Sequence, residues 1–189
     1  MSDLENPYYS YLKNRNWKGR LYRKYWLYPA ICRNIGQDEK VLDVGCGIGD
    51  FLRYRKNTFG VDINKKAVLY CLKEGFNVCK MEADVLPFQS SVFDCVVLDN
   101  VLEHIQEPEP ILKEINRVLN KKGKVIIGVP GKKGFDRDSD HKIFYDKNRL
   151  LECLESNGFK VKKTFYMPFK FDWFNQNISQ YCLYGIFTQ

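Results

Sequence analysis

The residues most able to do chemistry in this chain lie in one segment, VLDVGCGIGDFL, at residues 41–52. An apolar strand pattern there ends in glycines spaced G-x-G-x-G, Gly45, Gly47 and Gly49, and then enters a helix pattern. Glycine at such a turn permits left-handed backbone and lets a ligand approach the main chain closely. Acids follow in order: Asp43 within the motif, Asp62 at the end of GVDIN, where a carboxylate can accept both hydroxyls of a ribose, and Asp84 in EADVLPF. Taken singly, each glycine fits an ordinary β-to-α turn and each aspartate a helix cap. In an open parallel sheet, however, ligands bind beyond the carboxyl ends of the strands, so Gly45, Asp62, Asp84 and Asn100 converge on one edge.

Two further residues suit proton transfer. His104, in LDNVLEHI, and His141, in SDHKIFY, are the only histidines, and imidazole is the side chain best placed to take a proton near neutral pH. His104 either lines the active site or fixes its loop by a hydrogen bond. His141 directly follows the polar loop from Gly131 to Asp140, where an acceptor-facing segment is expected.

The elements that must position these residues follow from periodicity. KVLDVG, TFGVDI, NVCKMEA, FDCVVLDN and KVIIGVP read as strands, with stretches such as NKKAVLYCLKEG as helices between them. That alternation predicts βαβ units and a mostly parallel sheet. Residues 107–123, EPEPILKEINRVLNKKG, place Ile111, Leu112, Ile115, Val118 and Leu119 on one face, with prolines at the start and glycine at the stop, and predict an amphipathic helix. Asp146 is positioned to cap a helix through Leu150, Leu151 and Leu154 that ends at Gly158. The strand-like FKVKKTFYM and YCLYGIFTQ that follow close the sheet with an antiparallel last strand.

Composition bounds the class. A chain of 189 residues, 44% hydrophobic and 28% charged, fits one folded domain and excludes fibrous, disordered and membrane-embedded classes. The N-terminal residues lack the apolar core of a secretory signal and no apolar run reaches membrane-span length, so the expected location is cytoplasmic. Seven cysteines, an odd number without a C-x-x-C pair, point to packed thiols rather than a disulfide framework or zinc site. Cys95 in FDCVVL reads as a packed small hydrophobe. The net charge of +7 attracts anions without naming them.

The segments VLDVGCGIG, GVDIN, ADVLPF and FDCVVLDNVLEHI, in this order, resemble the class I S-adenosylmethionine-dependent methyltransferases, in particular their UbiE / methyltransferase-11 branch, over residues 40 to about 130. The resemblance implies an α/β Rossmann-like three-layer sandwich: a mostly parallel seven-stranded sheet, an antiparallel last strand and an N-terminal helical cap. The single methyltransferase domain, residues 1–189, then divides into a cap over 1–39, a cofactor-binding core over 40–130 and an acceptor-side loop with C-terminal helix and strands over 131–189. It implies S-adenosyl-L-methionine as cofactor, S-adenosyl-L-homocysteine as product, and a cofactor-binding set of Asp43, Gly45, Gly47, Gly49, Asp62, Ile63, Asp84, Val85, Asn100 and Val101. In that set the glycine loop faces the methionine part, Asp62 the ribose, Asp84 with Val85 the adenine, and Asn100 with Val101 the methionine side.

The acceptor is less constrained. DHKIFYDKNRLLECLESNGF resembles segments of sugar and glycan methyltransferases, which favours O-methylation of a small or carrier-linked metabolite such as a sugar and implies His141 as the preferred base. A prenylated phenol or quinone acceptor, a SAM-binding module without activity, and an NAD-dependent dehydrogenase are the alternatives. The glycine spacing departs from the dinucleotide fingerprint G-x-G-x-x-G and argues against the last. LDNVLEH stands where methyltransferases of exocyclic amines carry D/N-P-P-Y/F. In the quinone-type branch a Glu-x-x-Glu-His arrangement binds a divalent metal; here Glu103 and His104 are present but Asn100 replaces the first glutamate, so no metal is expected. Residues 7–36 contain no acid, and Lys13, Arg15, Lys18, Arg20, Arg23, Lys24 and Arg33 alternate with aromatics. The stretch reads first as a lid over the site, second as a surface for lipid-linked or phosphate-bearing substrates and peripheral membrane contact, and last as a nucleic-acid patch. Tyr22, Arg23 and Trp26 could reach the methionine carboxylate or the acceptor, although aromatics at this spacing more often pack.

Overall fold

The computed structural model describes residues 17–189, so the first sixteen residues of the cap expected over 1–39, Lys13 and Arg15 among them, lie outside the described residues. Seven strands form one sheet: β1 (Val41–Val44), β2 (Thr58–Asp62), β3 (Val78–Lys80), β4 (Phe93–Asp99), β5 (Leu119–Pro130), β6 (Lys160–Met167) and β7 (Cys182–Thr188). Their order is β3-β2-β1-β4-β5-β7-β6. The first five run parallel, and β7 is antiparallel to both β5 and β6. This is the mostly parallel sheet with an antiparallel last strand that the sequence predicts.

The helices begin with α1 (Trp17–Tyr22), which continues through a π-helical turn (Arg23–Leu27) into α2 (Tyr28–Cys32). Then come α3 (Asp50–Tyr54), α4 (Lys65–Lys73), α5 (Glu109–Val118), α6 (Lys132–Phe135), α7 (Lys147–Ser156) and α8 (Asp172–Asn177). Alternation within the strands builds the layers. In β4, Val96 and Leu98 join Ile111, Leu112 and Ile115 of α5 and Leu150 and Leu154 of α7 in one core. Cys95 and Val97 face the other way, onto Leu27, Tyr28, Ile31 and Phe51. A strand buried on both faces must be apolar throughout, which is why FDCVVL reads as a continuous run. The N-terminal helix therefore forms part of an outer layer on the sheet and reaches the site by single side chains.

Caps follow the sequence closely. Asp146 accepts from the Arg149 N–H at 2.9 Å at the start of α7, and Gly158 adopts φ +85° shortly after its end. Asn64 accepts from the N–H groups of Lys66 and Ala67 at the start of α4. One boundary differs. The helix predicted over 107–123 stops at Val118, and Leu119 already pairs with Phe93 as the first residue of β5. Leu119 is buried as the periodicity requires, 1% exposed, but the sheet claims it. Propensity could not locate that boundary because the residue is apolar in either setting.

Candidate active site

The crevice lies between the ends of β1 and β4, where chain connections leave the sheet in opposite directions and ligands of such sheets bind. Its floor is the glycine loop. Gly45, Gly47 and Gly49 all have positive φ. The N–H groups of Gly45 and Cys46 donate to the Val61 carbonyl at 2.8 and 3.0 Å, tying the loop to β2. At Gly45, φ is +74° and an added Cβ would stand 2.5 Å from Val101 Cγ2, so both backbone shape and space demand glycine. Val101 thus packs directly on the glycine loop.

Asp62 fixes the loop from the side. Its carboxylate accepts from the Gly47 N–H at 2.7 Å and the Asn64 N–H at 2.8 Å. The residue is 3% exposed. Burial raises its pKa, and the two backbone hydrogen bonds oppose that rise. The geometry gives Asp62 a loop-organising duty; a ribose diol would take the second lone pair on each oxygen. Next to it the apolar side chains of Ile63 and Val85 are exposed, 63% and 55%. Asp84, at φ +59°, turns the chain before Val85. The segment after it is held to α5: Glu114 accepts from the Leu86 N–H at 2.9 Å, and Arg117 donates to the carbonyls of Leu86 and Phe88 at 3.0 and 2.7 Å. Ile63 and Val85 are thus exposed apolar side chains just beyond β2 and β3, the second on a segment held to α5.

The other end of the crevice is charged. Arg23, Tyr28, Asp43, Gly45, Gly47, Asp99 and Asn100 line one cavity. Arg23 pairs with Asp99 at 2.8 Å, and the Tyr184 hydroxyl donates to the other Asp99 oxygen at 2.5 Å. Asp43 is 4% exposed. Burial, with Asp99 and Asp62 adding repulsion, holds its carboxyl well above the usual carboxylate range. Two carboxyl groups beside one guanidinium suit a ligand bearing two positive centres and a carboxylate, whose cations would favour the ionised acids. That is the charge pattern of the methionine end of S-adenosylmethionine, and the exposed apolar side chains of Ile63 and Val85 suit its adenine.

Sequence reasoning raised Arg23 without assigning it, and did not find Tyr28, Asp99 or Tyr184. The available signal was Arg23 itself, a cation on a helix whose neighbours Leu27, Tyr28 and Ile31 are buried. Trp26, raised with it, is 62% exposed.

The two histidines, far apart in sequence, come together. Their ring centroids are 4.6 Å apart, edge to face. Beyond Asn100, at φ +57°, a 3-10 turn (Leu102–His104) carries Glu103 inward, 0% exposed. The Glu103 carbonyl accepts from the N–H groups of Lys142 and Ile143 at 2.7 and 3.1 Å, pinning the loop after α6 to the end of β4. His141 Nδ1 lies 2.7 Å from the Phe135 carbonyl, which can only accept, so Nδ1 is the donor of that contact. Nε2 stands 3.8 Å from Glu103 Oε1. Burial, with His141 alongside, lowers the pKa of His104.

Comparison with known proteins agrees with this architecture. Residues 42–127 match the family described as Methyltransferase domain. An uncharacterized protein of Methanocaldococcus jannaschii is 31% identical over 152 residues, 75% of this chain and 74% of that protein. The ubiquinone/menaquinone biosynthesis C-methyltransferase UbiE of Haemophilus ducreyi is 28% identical over 163 residues, 78% of this chain but 60% of that longer protein. Among solved structures, a SAM-dependent methyltransferase from Aquifex aeolicus shares the fold with a TM-score of 0.71 at 19% identity, covering 95% of each chain. A TehB-like SAM-dependent methyltransferase from Corynebacterium glutamicum gives 0.71 at 22% identity, over 97% of this chain and 100% of that one. Sequence and fold together place the chain in the class I S-adenosylmethionine-dependent methyltransferase family.

Proposed function

We propose that this enzyme methylates an oxygen of a small or carrier-linked metabolite, a sugar hydroxyl in glycan biosynthesis being the preferred acceptor. The observation that carries the reading is the meeting of His104, His141 and Glu103 shortly after Asn100, a residue that lines the charged cavity. A hydroxyl must lose its proton as it is methylated, and this cluster supplies proton-accepting groups near the place where an acceptor would sit. When bound, the cofactor supplies an electrophilic methyl group on a sulfonium. Asp43 and Asp99 would hold its positive centres, Arg23 its carboxylate, Asp62 its ribose, and Ile63 and Val85 its adenine. Asn100 and Val101 would border the methionine side, and the alignment they impose is what in-line displacement requires.

A prenylated phenol or quinone acceptor is the second reading. It draws on the UbiE relative and on the exposed Phe169, Phe171 and Trp173. A carrier-linked acceptor at a membrane surface is supported by exposed Trp17, Tyr25 and Trp26 among the basic residues of α1 and the π turn. No helix among the described residues is long and apolar enough to cross a membrane. A cytoplasmic location is part of the proposal, supported by seven free cysteines.

Radiolabelled S-adenosylmethionine offered with nucleotide-linked sugars, lipid-linked sugars and prenylated phenols tests the reading. Label in a sugar, at an oxygen by mass spectrometry, is the expected result. Label only in the phenols selects the second reading, and label on carbon or nitrogen overturns O-methylation. Calorimetric titration with S-adenosylhomocysteine tests the pocket separately, with binding expected to be lost in Asp62→Ala.

A further inference from the structure

We infer that Glu103, His104 and His141 bind one divalent transition-metal ion. Candidate ligand atoms of the three residues all lie within 4.8 Å of one another. Bonds of about 2.0–2.2 Å to a common ion would place donors roughly 3.0–3.5 Å apart, a contraction that side-chain rotation can supply. Two imidazoles and one carboxylate suit zinc or iron-group ions better than magnesium or calcium, which prefer all-oxygen shells.

Three features set this cluster apart from a chance meeting of polar side chains. First, both carboxylate oxygens of Glu103 are buried with no hydrogen-bond partner among the described residues. An unpaired buried carboxylate is costly, and a bound cation would relieve that cost. Second, His141 already has the outer contact that metal-binding histidines use: Nδ1 donates to the Phe135 carbonyl, so Nε2 is the nitrogen turned toward Glu103. Third, the backbone holds the donors in place, because the Glu103 carbonyl takes both the Lys142 and Ile143 N–H groups. The sequence reading expected no metal because Asn100 replaces a glutamate. The fold supplies a third donor from the loop after β5 instead.

Three protein donors leave coordination positions open. A role in turnover rests on the proposed function: an acceptor hydroxyl bound there would become more acidic and lose its proton to water. Its oxygen would form the bond to the methyl carbon as the carbon–sulfur bond breaks and sulfur keeps the electron pair. With metal bound, His141 and His104 act as ligands; in the metal-free chain they keep the proton-accepting role of the proposed function.

The test uses the untagged full chain, stripped with chelator and kept free of cofactor, so that binding is read independently of methyl transfer. One Zn²⁺ per chain is expected by calorimetry, and Co²⁺ should give a visible absorption band. Glu103→Gln and His141→Asn should each weaken Zn²⁺ binding at least tenfold while the far-ultraviolet circular dichroism stays unchanged. Should either variant unfold, the wild type still decides, because the chain has only two histidines: nitrogen resonances of both should shift together at one equivalent of Zn²⁺. Failure of both to shift, sub-stoichiometric binding, or unchanged affinity in folded variants would overturn the site. Methyl transfer by the stripped and reloaded chain is a separate readout. Transfer without metal binding sinks the site alone, and metal binding without transfer to any oxygen sinks the proposed function alone.

Discussion

Gly45→Ala puts the glycine-loop argument to a quantitative test. Two costs are separable in the structure. Holding a non-glycine residue at φ +74° costs about 1–2 kcal/mol, since its Cβ crowds the following carbonyl. The added methyl also lies 2.5 Å from Val101 Cγ2 and 3.3 Å from Cγ1, so Val101 must move, an overpacking cost of about 1–3 kcal/mol. The sum, about 2–5 kcal/mol, is a large share of the stability of an ordinary domain. Urea unfolding at equilibrium reads it directly, and Val101→Ala separates the parts. In that background the methyl has room, so Gly45→Ala should cost only the backbone part and the double-mutant cycle should show about 1–3 kcal/mol of coupling. Equal costs in both backgrounds would refute the contact argument, and a cost below about 0.5 kcal/mol in wild type would refute the conformational one as well.

Other expectations concern charge. Asp62→Asn replaces one acceptor facing the Gly47 or Asn64 N–H by an amide donor and should cost about 1–3 kcal/mol in stability, with weaker S-adenosylhomocysteine binding by calorimetry. Arg23→Met leaves Asp99 with Tyr184 but removes the guanidinium of the cavity, so cofactor affinity should fall at least tenfold; unchanged affinity would exclude Arg23 from ligand binding. Asp43 lies among Asp99, Asp62, Cys71 and Arg23 with its pKa raised by burial. Below about pH 4 folded and unfolded states both hold its proton; above that the folded state alone does, so its contribution to stability falls as pH rises toward the folded value. Asp43→Asn should remove that part of the slope in urea titrations at several pH values.

The fold was legible because β4 and the glycine turn carry strong, local patterns: a strand buried on both faces must be apolar, and a left-handed turn takes glycine. The caps at Asn64 and Asp146 are equally local. What sequence could not show arises where distant segments meet. Leu119 is apolar whether it ends a helix or begins a strand, and only its pairing with Phe93 decides. Tyr184 reads as one more buried aromatic of β7 until its hydroxyl is seen to meet Asp99. Arg23 was visible, but its pairing with a carboxylate at the end of β4 was not. Both histidines were chosen for their chemistry, whereas the orphaned carboxylate between β4 and the later loop is a property of packing.

The end of β4 explains why one short segment serves two kinds of chemistry. Asp99 is fixed by Arg23 and Tyr184 on the cavity side, while Asn100, in a left-handed conformation, reverses the chain before the next turn. Val101 then lies against Gly45, and Glu103 enters the interior beside the two histidines. The Asn100 N–H donates to the Gly128 carbonyl at 2.9 Å, so this reversal is anchored to β5, the strand from which the loop bearing His141 departs. The charged cavity and the His–His–Glu cluster are therefore placed by the same backbone turn, one on each side of it. A shift in that turn would move the Val101 wall of the glycine loop and the Glu103 carboxylate together, which couples the proposed cofactor and acceptor positions through covalent geometry rather than through a flexible loop.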